Sequence, residues 1–193
     1  MSRAIGRERC ETAGKILAVD MSLCNTGWAV TRLIGQPEEV VATGCIVTAP
    51  GANRKGNVAA DDMRRADIIT MGLLDVIELH EPDLIVAEMP FGSQSAVSAK
   101  GEGMCKGIMV ALRRCQEVPC LWVLPSLGKF ATCGCKDASK EHVQKIILSL
   151  WPGCFIGLKN KACEHVADAL AALIAVRSSD LYMMLKTVGG GEK

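Results

Sequence analysis

The chain has few aromatic residues, no long apolar run and no apolar segment near its start. Aromatic side chains make up 4% of its 193 residues. No apolar run approaches the ~18 residues that a membrane-spanning helix needs, which excludes a transmembrane protein. The first 14 residues carry charges but no apolar core, which argues against a secretion signal. We therefore expect a cytoplasmic protein whose ten cysteines are reduced thiols.

The cysteines do not follow the spacing of a zinc site. Cys133 and Cys135 are only one residue apart, and no paired C-x₂-C knuckle occurs anywhere in the chain. A structural zinc ion is therefore disfavoured, and the purpose of the ten cysteines stays open.

Charge is unevenly distributed, although the net charge is only +1. Residues 94–161 hold ten Lys and Arg against four Asp and Glu, a net of +6. Residues 1–93 hold nine against thirteen, a net of −4. A basic middle beside acidic segments suits a surface that binds a polyanion next to a carboxylate cluster. A soluble surface with uneven charge is an equal alternative.

Apolar periodicity predicts a mixed α/β fold in a single domain. Strands over residues 15–20, 27–33 and 40–48 are joined by short turns, so we expect them to form an antiparallel meander. Helices and strands then alternate, with helices over residues 63–80, 95–116, 137–150 and 162–177 and strands over residues 83–89 and 121–124. This order predicts one mixed sheet with helices on both faces.

Three carboxylates occur where burial should discourage them. Asp20 ends the first strand, Glu88 ends the central strand, and Asp168 lies in an apolar helix three residues after His165. If the two strands are neighbours, these groups can meet at one point, where Mg²⁺ takes carboxylate ligands and substrate phosphates. Each acid alone has an ordinary alternative, as a turn cap, an ion-pair partner or a partly exposed helix residue.

These motifs together resemble the RuvC-type Holliday junction resolvases of the RNase H-like superfamily, over about residues 15–176. The matching segments are KILAVD with Gly27, DLIVAEMPF, and HVADALAAL. The resemblance implies an RNase H-like five-stranded mixed sheet, with an antiparallel three-stranded meander, further parallel strands and helices on both faces. It also implies a structure-specific endonuclease that resolves four-way junctions by paired symmetric hydrolysis, leaving 5′-phosphate and 3′-hydroxyl ends.

The resemblance also implies the active-site residues. Asp20, Glu88, His165 and Asp168 would be catalytic and would hold two Mg²⁺ ions, with Mn²⁺ able to substitute. One ion would activate the attacking water and the other would stabilise the leaving 3′-oxygen. His165 lies within the family pattern, which has Asp or His at that position.

Further residues match the family's DNA contacts. Lys129 and Lys140 have the spacing of two lysines that act near the scissile phosphate, and Lys136 is assigned with them to DNA binding. Phe91 stands where the family has an aromatic that stacks on a base at the junction. The alternatives are a core aromatic for Phe91 and solvated surface charges for the lysines.

Two residues depart from the family pattern. Met21 stands where the family usually has Pro, which alters the first turn. Glu164 adds an acid beside His165 and shares a helix face with Asp168, so it is a candidate to substitute for or supplement His165 as a ligand.

Organisation and partners follow from the resemblance. We expect a disordered tail at residues 1–14, an RNase H-like nuclease domain at 15–178 and a C-terminal tail at 179–193. A branched DNA substrate with two symmetric cuts implies a homodimer, with the helix over residues 95–116 as its surface, and no membrane. A branch-migration helicase as a further partner stays open.

Three other functions compete with this prediction. A phosphotransferase or ATPase of the actin type shares an Asp-ended strand and a hairpin but needs two such domains, for which the chain is too short. A non-catalytic relative would bind branched DNA without cutting it. A nuclease of the same fold would act on flaps or RNA–DNA hybrids.

Overall fold

The computed structural model describes residues 14–52, 56–89, 92–93 and 95–189. Its elements, in chain order, are β1 (Lys15–Asp20), β2 (Asn25–Arg32), β3 (Glu39–Val47), α1 (Val58–His80), β4 (Leu84–Glu88), α2 (Ala96–Gln116), β5 (Cys120–Val123), α3 (Pro125–Cys133), α4 (Lys140–Leu150), α5 (Asn160–Ala175) and α6 (Asp180–Gly189). Within these ranges no helix is both long and apolar enough to cross a bilayer.

The five strands form one mixed sheet in the order β3-β2-β1-β4-β5. Strands β1, β2 and β3 pair antiparallel, whereas β4 pairs parallel with both β1 and β5. The predicted fold class is therefore confirmed. In this register Asp20 lies opposite Glu88 on one side and opposite Gly27 on the other.

Alternation along the central strands creates two cores, one on each face of the sheet. Ile16 and Ala18 of β1 belong to the core built with α4, α5 and α6. Leu17 and Val19 belong to the core built with α1 and α2. Because side chains along a strand alternate between faces, Asp20 continues the face of Ile16 and Ala18, which is the α5 face.

Two helices fall where the sequence analysis assigned none. Helix α3 starts with Pro125 at its first turn, a favoured place for proline, and its Gly128 lies directly against Ala171 and Ala172 of α5. Helix α6 occupies most of the segment 179–193 that was expected to be a tail, because Tyr182 is buried in the α5 core. The outer domain boundaries stay a prediction, and residues 1–13 lie outside the described part.

A buried ion pair fixes α6 and the chain entering β3. The Glu38 carboxylate has a side-chain exposure of 0% and accepts hydrogen bonds from Arg177 and from the Tyr182 hydroxyl. Its backbone carbonyl accepts from the Trp151 indole N–H at 2.5 Å. Burial alone would raise the pKa of Glu38, but the hydrogen bonds from Arg177 and Tyr182 outweigh it and hold the pKa below its usual value.

Glu38→Gln should destabilise the fold by about 2–3 kcal/mol at neutral pH, because it leaves a partly buried guanidinium without its counter-charge. Since the folded-state pKa of Glu38 is lowered, its stabilising contribution is complete above the ordinary value of 4.5 and is lost as pH falls through the folded-state pKa. Urea unfolding at neutral and acidic pH measures both effects.

Glu39→Gln is the matched control for this experiment. Glu39 pairs with Arg32 at 3.4 Å, but the two side chains are 55% and 38% exposed, so the loss should stay below about 1 kcal/mol. Equal losses in the two variants would contradict the role assigned to Glu38.

Candidate active site

Two carboxylates lie side by side at the ends of neighbouring strands. Asp20 ends β1 and Glu88 ends β4, and the parallel register pairs them directly. Both residues are buried and both continue the strand positions that face α5. The sequence-based expectation that these strands are adjacent is thus met in the structure.

Helix α5 brings His165 and Asp168 to the same place. His165 Nδ1 is hydrogen-bonded to Asp20 Oδ2 at 2.6 Å, and the side chains of His165 and Asp20 are only 14% and 10% exposed. A carboxylate that accepts from one ring nitrogen fixes the orientation of an imidazole and leaves Nε2 for a ligand or a proton. Asp168, one turn later on α5, lines the same cleft.

Gly27 allows α5 to approach the sheet this closely. A Cβ at Gly27, which pairs with Asp20, would lie 2.4 Å from the His165 carbonyl carbon and 2.6 Å from the His165 Cβ. No side chain fits in that space without moving the helix. The glycine therefore sets the distance between β2 and the first turns of α5.

The site forms the floor of a cleft of about 590 Å³. Six residues predicted to be catalytic line this cleft: Asp20, Glu88, Lys129, Lys140, His165 and Asp168. Lys129 follows Gly128, whose contact with α5 brings α3 next to the carboxylates. Lys136 is exposed in the turn between α3 and α4 and is not among the described residues that line the cleft, and Phe91 lies outside the described residues.

Burial and neighbouring carboxylates raise the pKa of two acids in the site. Burial, followed by repulsion from Asp20 and Asp168, raises the pKa of Glu88 to about 9, although Lys129 and Lys140 act in the opposite direction. Burial and the neighbouring Asp20 likewise raise the pKa of Asp168 to about 6, against the effect of Lys140, His165 and Lys129. Buried carboxylates beside other carboxylates are stabilised either by a bound proton or by a bound cation.

Glu164 pairs with Lys140, whereas the sequence made it a candidate metal ligand beside His165. Its carboxylate accepts a hydrogen bond from Lys140 Nζ at 3.0 Å, and the two side chains are 34% and 52% exposed. Within the described part of the chain, His165 and Asp168 line the cleft whereas Glu164 does not. The Glu164 carboxylate is the first cause of a raised pKa at Lys140, so it stabilises the charged ammonium.

Three further residues that line the cleft were not predicted from the sequence. Asp62 and Arg65 of α1 and Lys100 of α2 line it, and the Lys100 ammonium pairs with the buried Asp62 carboxylate. The buried Arg65 donates to the Leu23 carbonyl at 2.9 Å, which holds the turn that follows Asp20. Lys100 falls in the basic segment, but no local pattern marks the two α1 residues.

Met21 continues the pairing of β1 with β4. It is buried, and its backbone N–H donates to the Glu88 carbonyl at 3.4 Å. Proline, which the resemblance places here, has no N–H and makes no such bond. Met21 therefore adds a hydrogen bond between β1 and β4 that proline at this position lacks.

Comparison with known proteins identifies the family. The family model of the crossover junction endodeoxyribonuclease RuvC matches residues 16–176, most of the chain. The chain belongs to the RuvC family.

Two RuvC relatives illustrate the extent of the match. Crossover junction endodeoxyribonuclease RuvC of Protochlamydia amoebophila is 30% identical over 164 residues, which cover 82% of this chain and 88% of that protein. The RuvC protein of Dehalococcoides mccartyi is 26% identical over 175 residues, covering 91% and 98%. The similarity therefore extends over nearly the whole of each relative.

Solved structures share the RuvC fold. Thermus thermophilus RuvC in complex with Holliday junction substrate superposes with a TM-score of 0.69 at 19% identity, covering 89% of this chain and 97% of that one. The yeast mitochondrial Holliday junction resolvase Ydc2 gives a TM-score of 0.59 at 12% identity, covering 94% and 82%. At these identities the likeness shows a common fold.

RuvC nucleases depend on metal ions, and the donor set here fits that requirement. Asp20 and Glu88 are buried and Asp168 is half-buried, and these three carboxylates offer the oxygen ligands that hard divalent cations prefer. No described side chain hydrogen-bonds to the Glu88 carboxylate. Within residues 14–52, 56–89, 92–93 and 95–189, no group of three or more Asp, Glu, His or Cys side chains has an arrangement that could hold a metal ion. A cation that completes its shell with water and phosphate oxygens suits this open arrangement.

Gly27→Ala should lower both stability and DNA cleavage, because the new methyl group forces α5 and its His165 away from Asp20. We expect a loss of about 2–3 kcal/mol in urea unfolding. Gly56→Ala, where an added Cβ meets nothing within 4 Å, is the control. Unchanged stability and cleavage in the Gly27 variant would show that α5 does not depend on this contact.

Stability of the metal-free protein should fall with rising pH because of Glu88. The folded-state pKa of Glu88 is raised from 4.5 to about 9. Its contribution to stability is therefore complete below pH 4.5 and is lost as the pH rises towards about 9. Melting temperatures in EDTA should therefore fall more steeply across this range for the wild type than for Glu88→Gln. Added Mg²⁺ should reduce the fall in the wild type only, and parallel curves would contradict the assignment.

Proposed function

We propose that this chain resolves four-way DNA junctions by metal-dependent, paired hydrolysis of phosphodiester bonds. The observation that carries the proposal is the convergence of Asp20, Glu88, His165 and Asp168 at one end of the sheet, in a member of the RuvC family. A non-catalytic relative would have no need to keep mutually repelling carboxylates buried together.

Asp20, Glu88 and Asp168 would be the carboxylate ligands of two Mg²⁺ ions, with His165 completing the set and Mn²⁺ able to substitute. Bound divalent ions would supply Lewis-acid stabilisation of the charge that develops on the attacking and leaving oxygens. The Asp20–His165 bond keeps the imidazole in one orientation before DNA arrives. Mg²⁺ is favoured over zinc because oxygen donors predominate in the site.

Lys129 and Lys140 would bind the scissile phosphate and offset its charge in the transition state. Both line the same cleft as the carboxylates, and both favour the ionised form of Glu88. Lys136, exposed between α3 and α4, would extend the basic surface to a more distant phosphate. Phe91, three residues after Glu88, would stack on a base at the branch point.

Branched DNA would be cut twice, so we propose a homodimer whose two sites act on symmetric strands. Helix α2 is the proposed surface between the two copies. A cytoplasmic location suits the nine cysteines of the described part, all of which are free.

The function is tested with a panel of labelled substrates: a four-way junction, a linear duplex, a flap and an RNA–DNA hybrid, each with Mg²⁺ or EDTA. We expect symmetric nicks confined to the junction and dependent on Mg²⁺. Tight junction binding without cutting, in Mg²⁺ or Mn²⁺, would favour the non-catalytic relative. Cutting of the hybrid or flap alone would retain the metal site but change the substrate.

Glu88→Gln should abolish cleavage and leave junction binding unchanged or tighter, because it removes a metal ligand and a negative charge near the phosphate. Cleavage rates and gel-shift affinities of the same preparation separate the two effects. Glu78→Gln, an exposed acid on α1, controls for the loss of one charge. Equal loss of binding and cutting in the Glu88 variant would contradict the ligand role.

A further inference from the structure

The contact between Glu164 and Lys140 joins two helices at the edge of the active site. Lys140 is the first residue of α4, and Glu164 lies in the first turns of α5. The Lys140 Nζ to Glu164 Oε2 distance is 3.0 Å, within hydrogen-bond range. The same ammonium lies close enough to Asp168 and Asp20 to interact with both electrostatically.

Lys140 needs such a contact if its ammonium is to stay at the cleft. Its side chain is 52% exposed and has four rotatable bonds, so on its own it would sample many orientations in water. A charge-assisted hydrogen bond selects the orientations that keep the ammonium beside α5. A phosphate entering the cleft then meets a charge that is already in place.

We propose that Glu164 is a positioning residue, whose carboxylate holds the Lys140 ammonium at the cleft for the scissile phosphate. This inference rests on the proposed endonuclease function and gives a role to the acid that departs from the family pattern. Glu164 acts through Lys140 and does not bind the metal. In agreement, it contacts α4 and is absent from the described cleft lining that includes His165 and Asp168.

A double-mutant cycle with Glu164→Gln and Lys140→Met tests the proposal through single-turnover cleavage and junction affinity. Glu164→Gln should slow the cleavage step roughly three- to ten-fold, the scale of one ordered lysine contact, with junction affinity changed less than about two-fold. In the Lys140→Met background the same change should have almost no effect, since the lysine that it positions is gone.

Matched controls separate positioning from a general change of charge. Glu141→Gln removes the acid next to Lys140 in sequence, and Lys145→Met removes an exposed lysine of the same helix. Both should cleave at the wild-type rate. If Glu164→Gln slows cleavage equally in both backgrounds, or raises the Mg²⁺ concentration needed for half-maximal rate, Glu164 is a metal ligand and the proposal is overturned.

Two-dimensional NMR of the lysine ammonium groups gives a readout without DNA or metal. The Lys140 signal, assigned by its loss in Lys140→Met, should be sharp in the wild type and broadened by water exchange in Glu164→Gln. An identical signal in both proteins would overturn the proposal. A wild type that cuts no junction would instead defeat the proposed function, while this signal still decides whether Glu164 holds Lys140.

Discussion

Burial of two neighbouring carboxylates, Asp20 and Glu88, is the constraint on which the rest of this structure depends. Asp20 and Glu88 are paired by the parallel register of β1 and β4, and the half-buried Asp168 of α5 lines the same cleft. Such an arrangement costs stability unless protons or cations accompany it. Lys129 and Lys140 offset only part of this effect, so the site favours bound protons or a bound cation.

The remainder of the fold keeps α5 where it can complete this site. Gly27 removes the side chain that would otherwise separate β2 from His165, and Gly128 lets α3 pack directly on Ala171 and Ala172. The buried Glu38 pair with Arg177 secures the chain beyond α5, so both ends of that helix region are tied to the sheet. These packing contacts, away from the carboxylates, therefore determine the distance between α5 and the ends of β1 and β4.

Much of the site was predictable because its residues follow short-range periodicities. Asp20 and Glu88 each end an apolar strand, and His165 and Asp168 have the spacing that places two side chains on one helical face. Residues whose positions depend on tertiary packing were not predictable. Arg65 reaches the turn after Asp20 only through long-range contacts, α6 is stabilised by burial of Tyr182, and the partner of Glu164 lies 24 residues away in sequence.

In the proposed function, the carboxylates of β1, β4 and α5 together bind divalent cations. Anomalous diffraction from crystals of the protein soaked in Mn²⁺ tests it most directly, since the signal locates the metal without assumptions about activity. We expect anomalous density in contact with Asp20, Glu88 and Asp168, and we expect this density to be lost in crystals of Glu88→Gln. Density elsewhere, or none in crystals whose cleft is open to solvent, would contradict it.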